Sequence, residues 1–305
     1  MRWLYRIPLI VIALLLIVMV SITVMSSLKE RSLAREFENA PINDFQTLEV
    51  SGLSMAYREF GNPDDPTIVL VHGFLGSSYD YRYLTDLLSE NYHVIALDLI
   101  GFGASDKPDD FEYTRENHAT MIHQFIELKG IERFHLGGHS MGGGIAIYYA
   151  HLFPEKLDSL LLFASAGLSD GAPSPLPLPF YRWIIKNYYL QRLGFQSVHY
   201  QEHFQSDDYF DPMFFFTKQI PPETLRAFSM HQDTVSINEF IDDIAIPTLI
   251  VFGKEDSWIP PSVGETLNES LQNSQLILIE ETGHIPFIEA IDETYDAVID
   301  FLTSQ

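Results

Sequence analysis

The chain has 305 residues and no cysteine, and its 42 acidic against 18 basic side chains give a formal net charge of −24. That length fits one large domain or one domain with an insertion, with ample core, since a chain of about 300 residues buries roughly 75% of its unfolded surface. The charge argues against nucleic acid and against charge-driven docking on anionic lipid headgroups, and the missing cysteines exclude disulfides, thiolate metal ligands, iron–sulfur clusters and a cysteine nucleophile.

The first predicted element is Ile7–Met25, a charge-free apolar run preceded by Arg2 and Arg6 and followed by Lys29, Arg31 and Arg35. As a helix it is about long enough to cross a ~30 Å hydrocarbon core. A retained membrane anchor and a cleaved signal peptide both fit. The anchor is preferred, because signal sequences have apolar regions of about 7–15 residues and Val24-Met25-Ser26 is a poor cleavage site. A buried core helix fits a terminal, charge-flanked, all-apolar run least. The basic flanks are nearly balanced. Short N-terminal tails are rarely translocated, so the expected orientation keeps the amino terminus in the cytoplasm and the folded domain outside. Residues 1–28 then form the anchor or signal and 29–44 a juxtamembrane linker. A short polar helix, with Leu28, Leu33 and Phe37 on one side, ends at Pro41. The domain from about Phe45 is expected to need nothing from this segment.

From there short strands alternate with helices. Gln46–Val50 and Leu53–Phe60 suit a hairpin turning at Ser51-Gly52. Thr67–His72, His93–Asp98, Phe134–Gly138, Leu160–Phe163, Thr248–Gly253 and Gln275–Glu280 are short apolar runs, with helical stretches near 79–90, 114–129 and 142–152. Strands apolar on both faces and separated by helices predict an α/β fold with a mostly parallel central sheet flanked by helices. Residues 45–167 and 246–305 form this core. Between them, 168–245 opens with Pro173, Pro175, Pro177 and Pro179 and continues rich in aromatics. This is a helical lid insertion over the carboxyl ends of the strands, where ligands bind in such sheets. About half of its aromatics are expected to form its own core.

Gly138-His139-Ser140-Met141-Gly142 matches G-x-S-x-G between an apolar strand and a helix-compatible run, the context that motif requires. The glycines let strand and helix approach, and a sharp turn projects the Ser140 hydroxyl above the sheet. A serine needs a base, and the chain order in this class is nucleophile, acid, histidine. His284 follows the last strand and can face the turn. His151 lies on the helix after the turn, while His199, His203 and His231 fall in the insertion. The acid belongs between, after a strand: Asp256 is preferred, Glu255 is its main rival, and Asp242 and Asp243 precede the strand. An oxyanion needs aimed donors; backbone N–H groups of Met141 and Phe74 are the candidates. His72 is expected to brace the Phe74 loop.

Together, His72-Gly73-Phe74, Asp98–Ser105, Gly138–Gly143, Gly253 with Asp256 and Pro260, and Gly283-His284 resemble the α/β-hydrolase superfamily from about residue 45 to the end. Within it, the N-terminal apolar helix, His-Gly-Phe, Ser-Met-Gly-Gly and Ala166-Gly167-Leu168 are similar to membrane-associated monoacylglycerol lipases and related bacterial lipases. The resemblance implies ester hydrolysis through an acyl-enzyme with triad Ser140, Asp256 and His284, oxyanion donors Phe74 and Met141, no cofactor, and a small ester or lipid substrate. Asp98 and Gly101 read as structural turn residues. Ser140 excludes the aspartate-nucleophile dehalogenases and epoxide hydrolases. Carbon–carbon bond hydrolases acting on vinylogous diketone acids share the triad and Ser-Met-Gly-Gly. They place a cap arginine on a substrate carboxylate, for which Arg182, Arg192 and Arg226 are available, but their usual Gly-Pro after the oxyanion loop is Ser77-Ser78 here. A non-catalytic binding protein on the same fold is the remaining alternative.

Overall fold

In a computed structural model of the protein, residues 6–38, 40–168, 177–201, 204, 206–230, 233 and 235–305 are described. Pro173, Pro175, His203 and His231 lie outside them. Strands β1 (Gln46–Val50) and β2 (Leu53–Phe60) pair antiparallel with Val50 opposite Leu53. Ser51 (φ 52°) and Gly52 (φ 81°) make the turn, both left-handed as a two-residue hairpin that follows strand twist requires. β3 (Thr67–Val71), β4 (His93–Leu97), β5 (Phe134–His139), β6 (Leu157–Phe163), β7 (Thr248–Gly253) and β8 (Ser274–Ile279) complete an eight-stranded sheet in the order β1-β2-β4-β3-β5-β6-β7-β8. β2 runs antiparallel to β4, and the six strands from β4 to β8 are mutually parallel.

Both faces are covered, which is why β4 and β7 are buried at every position. On one face lie α3 (Arg115–Lys129), α4 (Met141–Leu152) and α9 (Pro261–Ser270); on the other α2 (Arg82–Leu88), α10 (Pro286–Glu289) and α11 (Ile291–Thr303). The Thr114 side chain accepts the Asn117 N–H to start α3, and left-handed Gly130 stops it, the usual cap and stop signals. The insertion between β6 and β7 carries α5 (Leu178–Ile185), α6 (Tyr188–Gln196), α7 (Asp207–Thr217) and α8 (Pro222–Met230). Tyr188, Phe195, Phe204, Phe210, Phe214 and Phe216 are buried, whereas Phe180 and Tyr200 are exposed.

The N-terminal segment departs from expectation. It is one helix, α1 (Arg6–Glu36), not an apolar span followed by a separate polar helix. Its second half also belongs to the fold. Leu33 is completely buried in a cluster with Tyr188, Phe195, Val198, Phe210 and Phe214. Ser26 Oγ accepts the Tyr188 N–H (2.6 Å), Lys29 pairs with Asp211 (2.8 Å), and Phe37 meets the Phe215 ring. Ser26, Lys29, Leu33 and Phe37 follow a three-to-four spacing and share one face; Leu28, off that spacing, is exposed. Side chains at 6–10, 12 and 15 are outside the described set. Among the described residues no helix is long and apolar enough to cross a membrane.

Candidate active site

β5 ends at His139, and Ser140 takes φ 51°, ψ −117° before α4 begins. A non-glycine residue there is strained, which persists only when its surroundings hold it. They do: a Cβ on Gly138 would lie 2.3 Å from the Gly142 carbonyl oxygen, and one on Gly142 2.3 Å from that of Val71. Only glycine permits this crossing of β5, α4 and β3. Met141 opens α4, so its N–H has no carbonyl partner within the helix. The loop after β3 runs beside the serine, since a Cβ on Gly73 would lie 3.2 Å from Ser140 Cβ. Phe74 thus sits in backbone next to the turn. His72 braces that loop: Leu99 N–H donates to its Nε2 (3.1 Å), leaving Nδ1–H to donate to the Gly73 carbonyl (2.7 Å). Asp98 is structural, as expected, accepting the Ser78 and Ala104 N–H groups.

The loops after β7 and β8 bring Asp256 and His284 together, with His284 Nδ1 2.7 Å from Asp256 Oδ2 and both residues buried. The other oxygen, Oδ1, accepts the N–H groups of Trp258 (2.8 Å) and Ile259 (2.9 Å). A carboxylate can only accept, so Nδ1 carries the hydrogen and Nε2 is left with its lone pair. Glu255 points elsewhere, its carboxylate accepting the Thr282 N–H (3.0 Å) as a rung between the two loops. Asp242 and Asp243 are exposed before β7. His151 stacks on Phe240. His199 is buried in the insertion, and desolvation pushes it down to about 4.

Three partners of the site were not legible in the sequence. His139 Nε2–H donates to the His284 carbonyl (2.9 Å); burial, then neighbouring His284, holds its imidazole well below the usual histidine range. Neutral, it has one N–H, which the His284 carbonyl accepts, and ties the strand before Ser140 to the loop after β8. Its place inside the G-x-S-x-G motif was the available signal. The His284 N–H donates to the Val198 carbonyl of the insertion (2.9 Å). Phe228 on α8 packs against the Phe74 ring (5.0 Å). Nothing local in the sequence marks the last two. Among the described residues no group of three or more histidine and acidic side chains could hold a metal ion.

Residues 66–194 match the profile of the alpha/beta hydrolase fold family. The chain is 34% identical to Lipase 1 of Psychrobacter immobilis over 81% of this chain and 80% of that protein. The chain belongs to the α/β-hydrolase family. It is also 28% identical to the 2-hydroxy-6-oxo-6-(2'-aminophenyl)hexa-2,4-dienoic acid hydrolase of Metapseudomonas resinovorans (90% of this chain, 96% of that one). Identity to human monoacylglycerol lipase ABHD6 is 26%, over 78% and 76%. A solved structure of a membrane phospholipase A superposes with a TM-score of 0.75 at 26% identity, over 99% of this chain and 96% of that one. Ser140, Asp256 and His284 follow β5, β7 and β8 in that chain order.

Proposed function

We propose that the protein is a serine ester hydrolase acting on fatty-acyl esters, with monoacylglycerols and medium-chain carboxylic esters as substrates. The observation that carries this reading is the buried His284–Asp256 pair, with the His284 carbonyl bonded to His139, the residue before a serine held in a strained strand-to-helix turn. Ser140 Oγ attacks the ester carbonyl while His284 Nε2 takes its proton. Asp256 orients the imidazole and stabilises the imidazolium without accepting the proton. Backbone N–H groups of Phe74 and Met141 stabilise the oxyanion. Collapse expels the alcohol, protonated by His284, and leaves an acyl-enzyme. Water, activated by the same imidazole, then releases the acid.

The substrate class is supported by the lipase relatives and by the aromatic insertion, read here as a lid over residues 168–245. Phe74, Phe102 and Phe228 meet edge and face beside the Ser140 loop. Such a wall favours an apolar acyl chain at about 0.8 kcal/mol per buried CH₂. The charge of −24 disfavours anionic substrates. The carbon–carbon hydrolase reading is favoured by the Metapseudomonas relative, but its cap arginine has no clear counterpart. Arg182 and Arg226 are exposed, and Arg192 pairs with Asp207 and lies over the Phe210 ring.

We further propose that the front of α1 is a retained single-pass anchor with the hydrolase domain outside the cytoplasm. Its support is the charge-free Ile7–Met25 sequence and the exposed apolar side chains along it, among them Leu16, Ile17, Val20 and Val24. Full-length protein should then sediment with membranes and resist salt extraction.

The deciding experiment is a hydrolysis screen over nitrophenyl esters of increasing chain length, monoacylglycerols and a vinylogous diketone acid, with Ser140→Ala as control. Turnover of the neutral esters lost in Ser140→Ala is expected. Preference for the diketone acid would promote the second reading, and binding without turnover would leave a non-catalytic protein.

A further inference from the structure

The catalytic base hangs from the insertion, not only from its own loop. Segment 197–201, which follows α6, is bonded to both catalytic loops. Val198 carbonyl accepts the His284 N–H (2.9 Å). The side chain of Gln201 donates to the Glu281 carbonyl (2.9 Å), and Ser257 Oγ donates to the Ser197 carbonyl (3.0 Å). A Cβ on Gly283, the residue before His284, would lie 2.7 Å from both Tyr200 N and the Val198 oxygen. The two backbones therefore touch with no side chain between them.

Two side chains outside the catalytic set hold this segment. Glu289 ends the short helix after His284, is 6% exposed, and turns its carboxylate back over the base loop. Oε2 accepts the N–H groups of Tyr200 (2.8 Å) and Gln201 (3.4 Å), and Oε1 accepts that of Ile285 (3.4 Å). One buried carboxylate thus clasps the insertion to the residue beside the base. Leu33 acts from the other side. The cluster it completes includes Val198, so the residue that receives the base's N–H shares one buried apolar cluster with the N-terminal helix. The route from α1 to His284 runs from Leu33 through the shared cluster to Val198, and from the Val198 carbonyl to the His284 N–H.

We propose that segment 198–201 is the seat of the catalytic base, and that Leu33 and Glu289 are positioning residues for ester hydrolysis that hold this seat. The inference rests on His284 being the base. It gives α1 a part in catalysis separate from any anchoring, because Leu33 lies beyond the apolar run. The energetic reason is geometric sensitivity: misplacing a reacting group by about 1 Å can cost roughly 10²-fold in rate. Leu33→Ala opens a cavity in a fully buried site, which the surrounding cluster fills only in part, and Val198 belongs to that cluster. Glu289→Gln keeps the volume but weakens the clasp, since an amide offers one acceptor oxygen where the carboxylate offers two.

The test uses the full-length chain and a short water-soluble nitrophenyl ester, with active sites counted by a serine-directed phosphonate. Leu33→Ala should lower kcat about tenfold per titrated site with KM within about twofold, and Leu33→Met, of similar volume, should recover most of the loss. Glu289→Gln should lower kcat several-fold, also at unchanged KM, without lowering the melting temperature. Wild-type kcat in folded Leu33→Ala and Glu289→Gln would overturn the proposal, as would a loss confined to KM or one that Leu33→Met does not recover. If Leu33→Ala does not fold, Glu289→Gln decides alone. His284→Ala separates the layers: activity surviving there removes the base itself, whereas an inactive His284→Ala beside fully active Leu33 and Glu289 variants removes only the seat.

Discussion

At the scale of single residues, the proposed nucleophile and base act as one unit, so their losses do not add. Ser140→Ala and His284→Ala should each lower kcat by roughly 10⁴-fold or more, and the double variant should be little worse. Asp256→Asn should cost on the order of 10³–10⁴, because an amide donates where the Nδ1–H needs an acceptor and disturbs the tautomer. Glu255→Gln should cost far less, since Glu255 accepts a backbone N–H and does not touch the imidazole. Steady-state kinetics on one soluble ester checks all four, and a severe Glu255 effect with a mild Asp256 effect would exchange the two. Ser140, Asp256 and His284 stand out as candidates in the sequence because each sits at a strand's carboxyl end next to glycine or in a short polar loop. Asp256 is preferred to neighbouring Glu255 from the sequence, and only the coordinates show that Asp256 meets the imidazole while Glu255 does not. Their side chains leave the same loop in different directions, and no periodicity reports that. His139 was hidden differently, since its partner carbonyl lies far along the chain.

At the scale of elements, short apolar runs bounded by turn residues identified the strands to within a few positions, because a doubly covered parallel sheet leaves no polar face to blur them. The insertion was legible as helical, but its individual helices were not, its aromatics following no single stripe. The N-terminal helix was read least well. Its apolar front dominates the pattern, while the docking face consists of Ser26, Lys29, Leu33 and Phe37, two of them polar. Cutting the chain should expose the difference. A protein beginning at Ser26 keeps that face, whereas one beginning near residue 40 uncovers Tyr188, Phe195, Phe210 and Phe214. A fully buried leucine is worth about 2–5 kcal/mol when truncated to alanine, so the shorter protein should melt lower or aggregate and lose activity on soluble esters. The longer one should retain both. Equal melting temperatures and turnover for the two would mean that α1 contributes nothing to the folded domain.

At the scale of the whole molecule, buried neutral histidines set part of the response to acid. His118 on α3 is fully buried against the rings of Phe111 and Tyr113, with no hydrogen-bond partner among the described residues at either ring nitrogen. Desolvation, with a smaller push from His72, takes it down to about 3. The unfolded chain protonates it near ~6.5. Between those values the unfolded state binds the extra proton, so stability rises with pH and is lost as pH falls below about 6.5. Buried Glu289 acts oppositely: desolvation raises its carboxyl, so it favours the folded state as pH falls toward the ordinary carboxylate range. Relief of repulsion in a chain of charge −24 acts in the same direction as Glu289. The total curve therefore mixes signs, and a single-site comparison isolates the histidine. At pH 5 its penalty is about 2 kcal/mol, and at pH 8 it is close to zero. His118→Leu places an apolar side chain in an apolar site and should lose about 2 kcal/mol less than the wild type between pH 8 and pH 5 in urea unfolding. Parallel losses in the two proteins would show that His118 is protonated in the folded state and that its burial does not set the acid response.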